Sequence, residues 1–226
     1  MRVWLLLSLN LLWLTGCGLV AAPPPAPAYY ELRLLTTEGE PWATAVAARE
    51  AGPRVEVQAP SWLRSRTMQY RLAYRDDLRR REYRESRWVA EPGEMITRSL
   101  ERYLSFAPEL AAGSRPMVLD ARHRERRPAL PATCRVRLTL DEFIQVFREA
   151  HDSYTLLEVR AELPGAVGRR IGPRWFTIRQ PAASPDAFGG VDAHRRGLQQ
   201  LADELRAWLE SPEVQEALAG GADSCS

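Results

Sequence analysis

Hydrophobic and polar positions change rhythm several times along the chain. Val3 to Leu14 is an almost unbroken apolar run behind the positive charge of Arg2, interrupted only by Ser8 and Asn10. A bilayer span needs about 20 apolar residues, so this run is too short to cross and reads as the core of a secretory signal. Pro and Ala dominate from Gly18 to Ala28. Such a stretch predicts a solvated tether, which at about 3.1 Å per residue in polyproline II reaches roughly 30 Å. Alternation then begins. Tyr30, Leu32 and Leu34 alternate with Glu31 and Arg33, predicting a half-buried strand from Tyr29. Thr36 to Ala51 has little periodicity and is expected to loop out. Val55 to Gln58 predicts a second strand closed by Ala59-Pro60, and Met68, Tyr70 and Leu72 mark a third. Asp76 to Arg87 is dense with charge and predicts a solvated connection.

The period changes after Pro92, a residue suited to the first helical position, with Glu91 and Glu94 near the positive end of the dipole. Met95, Ile96, Leu100, Tyr103 and Leu104 recur at three and four, an amphipathic helix that Pro108 should end. Pro116 to Asp120 predicts a short strand, completing a right-handed strand–helix–strand crossover. Val136, Leu138 and Leu140 then alternate with polar residues, but Phe143 and Phe147 fall on the opposite parity, predicting a bulge near Asp141. Two further alternating runs, Leu157 to Leu163 and Phe176 to Ile178, complete an antiparallel meander in which Arg135 and Arg137 face Glu158 and Glu162. Leu198, Leu201, Leu205, Trp208 and Leu209 give the buried stripe of a helix over Val191 to Glu210, and Ser211-Pro212 starts a short last helix that Gly220 stops. The expected fold class is α+β: a single domain with a mostly antiparallel mixed sheet and two main amphipathic helices packed on it.

Charge adds little. The 31 basic and 29 acidic residues nearly cancel, and every basic side chain is Arg. A balance of this kind gives no general attraction to nucleic acid. Arg79 to Arg87 and Arg122 to Arg127 are the basic clusters, diluted by Glu82, Glu85 and Glu125. They read as solvated faces, or as contacts for a protein partner or anionic headgroups. Candidate chemistry is equally sparse. His123, His151 and His194 lack metal-ligand spacing. His151-Asp152-Ser153 has triad residue types in an order that adjacent residues cannot use. Phosphate-loop, dinucleotide and nucleophile-elbow patterns are absent. No catalytic residue, metal or cofactor is assigned.

Leu14-Thr15-Gly16-Cys17 resembles the bacterial lipoprotein signal. That resemblance implies acylation of the Cys17 thiol and cleavage before it, leaving Cys17 as a lipid attachment residue. Gly18, where Asp would retain such a protein at the inner membrane, favours the periplasmic face of the outer membrane. Stable anchoring takes at least two acyl chains, at about 0.8 kcal/mol per buried CH₂. The two remaining thiols, Cys134 and Cys225, form a possible disulfide in an oxidising periplasm, or stay unpaired. Paired, they close a loop of roughly 90 residues, for which chain entropy gives about 4.5 kcal/mol. The organisation expected is a signal peptide over 1–16, a lipidated tether over 17–28, a folded domain over 29–219 and a tail over 220–226.

The stretch from Ala59 to Leu104 resembles the signature of the ABC-type transport auxiliary lipoproteins, the PqiC-like family. The pattern is a P-x-x-L start at Pro60 and Leu63, then Y-R at Tyr70 and Arg71 (or Tyr74 and Arg75), then Trp88 followed by Glu91 and Pro92 opening a helix. Val89 is a one-residue insertion relative to the usual Trp-Ala-Glu-Pro. A YY-x-L strand at Tyr29 and DEF-x-Q-V-F at Asp141 to Phe147 agree in order. The resemblance implies a non-enzymatic role beside an MCE-domain protein and its ABC transporter complex, moving lipids between inner and outer membranes, with a possible homo-oligomeric ring. Trp62, Leu63 and Arg64 lie in a predicted loop and are the candidates for partner docking. Trp62 reads equally as core or interface, whereas Trp88 reads as an anchor of helix to sheet. The alternative function is a periplasmic lipoprotein that itself binds a lipid or hydrophobic small molecule in a cavity between sheet and helices.

Overall fold

The computed structural model describes residues 26–34, 53–105, 134–164 and 170–219. In chain order the elements are β1 (Ala28–Tyr30), β2 (Arg54–Gln58), a 3₁₀ turn (Ser61–Leu63), β3 (Thr67–Leu72), β4 (Asp76–Trp88), α1 (Pro92–Ser105), β5 (Arg135–Glu149), β6 (Asp152–Pro164), β7 (Arg170–Pro181), α2 (Ala187–Leu209) and α3 (Pro212–Ala219). Among the described residues the strands form one seven-stranded sheet in the order β1-β4-β3-β5-β6-β7. β2 lies beside the first half of β5, parallel to it, and β3 pairs parallel with the second half. The two are thus laid end to end along one side of β5, interrupted by the 3₁₀ turn. The long ladders β5–β6 and β6–β7 are antiparallel, as the alternation predicted. The fold is α+β, as expected.

The slip in β5 falls where the parity changed: its register with β6 shifts between Leu140 and Glu142. Val136, Leu138, Leu140 and Phe143 therefore all enter one core with Leu157, Val159, Ala161, Phe176 and Ile178. Helix α1 contributes Met95, Ile96 and Leu100 to that core, and α2 contributes Leu198, Leu201, Leu205 and Leu209. The other face of the sheet carries only a small cluster of Ile144, Val146 and Leu156.

Helix α2 starts earlier than its apolar stripe suggested. Asp186 caps it, accepting the Gly189 N–H at 2.8 Å, and that bond holds the Asp186 carboxyl below the usual range. Gly189 and Gly190 are weak helix formers, which hid the first turn, but contact requires them. A Cβ on Gly189 would stand 2.2 Å from the Ser184 carbonyl oxygen, and one on Gly190 would stand 2.1 Å from Oε1 of Gln145.

Three expectations are corrected. Asp76 to Arg87 is not a connection but most of the long strand β4, which pairs with β3 on one side and β1 on the other. Its charges hid it because the strand is half-exposed along most of its length, so arginine stems lie along it while their heads reach solvent or, as at Arg80, an ion pair. The first strand is short: Leu32 and Leu34 are buried beyond its end, and Leu32 is held by Ser99 Oγ donating to its carbonyl at 3.1 Å. Arg137 does face Glu162, but Glu158 stands opposite Glu142, and Arg135 and Arg137 turn to Glu56 at 3.5 and 4.0 Å. The cause is β2, whose pairing with β5 spans too much sequence to be read locally. The loop expected over Thr36 to Ala51, the end at Pro108 and the strand over Pro116 to Asp120 lie outside the described residues.

Leu201 is fully buried in the core. Leu201→Ala should lower stability by about 2–5 kcal/mol, read by denaturant unfolding, since the rigid sheet beneath it allows little collapse.

Candidate functional site

The signature residues converge on β5. Tyr70 meets Phe147 edge-on at 5.8 Å and packs on Tyr83 at 4.7 Å. Arg71 Nη2 donates to Glu142 Oε2 at 3.0 Å, and Arg80 Nη2 reaches the same oxygen at 2.6 Å. Glu142 is buried, so two guanidinium groups compensate one carboxylate taken from water. Gln145 accepts from the Tyr83 hydroxyl and donates to Ser153 Oγ, both at 2.9 Å, at the place where α2 presses its glycines onto the sheet. Trp88, fully buried, lies 5.5 Å from Phe143 and 5.8 Å from His194, and the His194 ring stacks on Phe143 at 3.9 Å. Trp88 thus joins β4, β5 and α2.

The corner built on this joint is what reaches solvent. Pro60 accepts the Leu63 N–H at 2.9 Å and Ser61 accepts the Arg64 N–H at 3.2 Å, closing the 3₁₀ turn. That turn drives Leu63 into the core and leaves Trp62 53% exposed, with Arg64 beside it in solvent. Trp62 is therefore not core. Leu63, buried in the core, presents no surface there. Gln69 Nε2 pins the Trp62 carbonyl at 2.9 Å, and Arg66 Nε donates to the Trp88 carbonyl at 3.3 Å. Val89 donates its N–H to the Tyr30 carbonyl at 2.9 Å, so the inserted residue also ties down β1. Glu91 accepts the Met95 N–H at 3.1 Å, and Pro92 opens α1 where no donor is needed. Between this turn and α1 runs an open groove of about 410 Å³, lined by Arg64, Glu91, Glu94, Arg98 and Glu101. Its floor is low because Gly93 has no side chain; a Cβ there would sit 3.6 Å from Val57.

This arrangement offers an aromatic anchor beside a groove of mixed charge, a surface for recognition. Among the described residues no group of His, Cys, Asp and Glu could hold a metal ion. His194 is fully buried, burial pushes its pKa down to about 3, and its Nδ1 has no hydrogen-bond partner. It is a neutral packing ring. Cys134 is buried and disulfide-bonded. Its partner lies outside the described residues, as do Cys17 and Cys225. Glu142, Gln145 and His194 were not singled out from the sequence as site residues, although the first two stand inside DEF-x-Q-V-F.

The profile described as ABC-type transport auxiliary lipoprotein component matches residues 38–206. The chain belongs to this family. Auxiliary lipoproteins of this family are associated with ABC transport systems, and the lipoprotein character implies a membrane-anchored periplasmic location. Among the described residues no helix is long and apolar enough to cross a membrane. The fold is similar to that of protein XCC0632 from Xanthomonas campestris, assigned to family DUF330, with a TM-score of 0.60 and 16% identity over 84% of this chain and 98% of that one. It is also similar to an uncharacterized protein of known structure, with a TM-score of 0.55 and 15% identity over 82% of this chain and 99% of the other. No curated protein matches in sequence.

Two outcomes follow for the joint beneath the corner. His194 stays neutral in the fold, whereas in the unfolded chain it takes a proton below about pH 6.5. The unfolded state then binds the extra proton, so stability is undiminished above that pH and falls as pH drops from about 6.5 towards 3. His194→Phe should remove up to about 1.4 kcal/mol per pH unit of that slope, measured by urea unfolding between pH 6 and 4. Glu142→Ala should cost about 1.5–3 kcal/mol, and Arg71→Ala should cost less in that background than alone.

Proposed function

We propose that this protein is an outer-membrane-anchored periplasmic lipoprotein, lipidated at Cys17, that serves as a non-catalytic auxiliary subunit of an MCE-type ABC transport system moving lipids between the inner and outer membranes. Family membership supports the association with an ABC transporter. The observation that carries the docking role is the exposed Trp62, two residues from the groove-lining Arg64, on a turn fixed by the buried Leu63 and Trp88. An exposed indole held rigidly is the kind of anchor around which interfaces concentrate their binding energy. Arg64 and Glu91 supply charge on either side of the groove, so the partner surface is expected to carry both signs.

Two features fit an anchored, secreted body. β1 follows directly in the sequence on the Pro- and Ala-rich stretch that links it to Cys17. The disulfide at Cys134 suits an oxidising compartment, and Cys225 is the partner proposed for it. Neither of two grooves formed by the described residues adds support to the reading as a lipid carrier. That of about 410 Å³ is rich in charge, and the other, about 300 Å³, is lined by Arg148, Tyr154, Arg179 and Pro181.

Radiolabelled palmitate should enter the wild type and not Cys17→Ala, with the labelled protein in the outer-membrane fraction. Affinity capture of the wild type from detergent-solubilised membranes should recover MCE-domain and transporter subunits. Trp62→Ala combined with Arg64→Glu should abolish that recovery while the unfolding midpoint stays unchanged. Recovery of neither subunit by the labelled wild type would refute the docking role.

A further inference from the structure

The register of β1 fixes which end of the molecule faces its anchor. β1 is parallel to β4, with Ala28 opposite Ser86 and Tyr30 opposite Trp88. β1 therefore enters the sheet from the side of the start of β4, where the β3–β4 hairpin turns. From Ser86 back to Asp76 is roughly ten residues of strand, or about 33 Å. The chain from Cys17 to Ala28 is of similar length and can span about 35 Å when extended. The attachment point and the hairpin tip can therefore reach the same level. The far end of the sheet, where β5 begins and α2 finishes, points away from it.

That tip exposes large apolar side chains among its charges. Leu78 is 95% exposed, the turn residue Tyr74 is 43% exposed, and Phe188, in the first turn of α2 at the same end of the sheet, is 67% exposed. The exposure of Leu78 is built in. Arg71 pairs with Arg80 and Leu72 with Asp76, so the ladder skips Asp77 to Arg79, and the Leu78 N–H turns to Asp76 Oδ1 at 3.2 Å. A bulge at a strand end re-aims its side chain, here outward. Both acids nearby are engaged within the fold, Asp76 with that N–H and Asp77 with Arg71 at 3.8 Å. Arg75 lies over the Tyr74 ring at 5.6 Å, and Arg79 makes no ion pair among the described residues. An aliphatic point, an aromatic ring and arginine heads around them are the groups that settle at a bilayer's headgroup boundary.

We propose that the Tyr74–Leu78 hairpin tip is a second membrane contact, inserting Leu78 and Tyr74 into the lipid surface to which Cys17 is attached and so holding the domain upright with its far end outward. This rests on the reading of Cys17 as acylated, and it makes the tether an orienting device as well as an anchor. To test it, the lipidated full chain is reconstituted into vesicles of phosphatidylethanolamine and phosphatidylglycerol. Nitroxide labels are placed at Leu78→Cys and, in separate chains, at Tyr74→Cys and Glu213→Cys, the last exposed on α3. The labels at 78 and 74 should collide more with oxygen than with a water-soluble nickel chelate, and the label at 213 should do the reverse. Protein that floats with the vesicles while all three labels stay equally open to the chelate overturns the proposal. Protection of the tip that appears only on adding solubilised transporter subunits also overturns it, in favour of a protein contact there. A wild type that neither takes up palmitate nor floats refutes the anchoring itself, an outcome distinct from the other two.

Discussion

Between Leu140 and Glu142 the β5 ladder slips by one residue, and Phe143 thereby joins Val136, Leu138 and Leu140 in the core beneath α1 and α2. Without the slip, Phe143 and Phe147 would face the other side of the sheet, because side chains in a strand alternate with a period of two. The two halves of β5 also take different neighbours, β2 on the first and β3 on the second. The strand is the spine to which every other strand attaches, directly or through one or two intermediates, and the slip keeps all of them over one core.

The family signature is largely a description of how the sheet is tied to that spine. Tyr70 meets Phe147, Arg71 meets Glu142 and Trp88 meets Phe143, so Y-R and Trp each find a partner in DEF-x-Q-V-F. The residues of the signature are mostly covered or half-covered, Glu91 excepted. What they leave outside is a fixed platform, the turn with Trp62 and the groove beside α1. Rigidity is the useful property here, since an anchor already ordered loses less entropy when a partner covers it.

Much of this was legible in the sequence, for physical reasons that differ by element. The parity change at Asp141 announced the bulge, because a strand buried on one face writes its register into its residues. The stripe from Met95 to Leu104 announced α1 in the same way. β4 was not legible, because a strand clothed in arginine stems carries its pairing in the backbone, where side-chain periodicity leaves no mark. The start of α2 was hidden by Gly189 and Gly190, chosen for close approach to Ser184 and Gln145 against their helix propensity. At the site, Trp62 could be narrowed only to core or interface, since its orientation depends on a turn whose neighbour, Leu63, competes for the same interior.

An open sheet has two borders, and each is a template on which another chain can crystallise. Among the described residues one border is β1, three residues long, continued by the charged outer side of β4 from Asp76 to Glu85, and the other is β7, which carries Pro173 and Pro181 and exposes Arg170, Arg174 and Arg179. Prolines lack the donor, and charges resist dehydration, so neither border welcomes a foreign strand. Copies of this molecule crowded on a single leaflet would therefore gain little from joining at these margins.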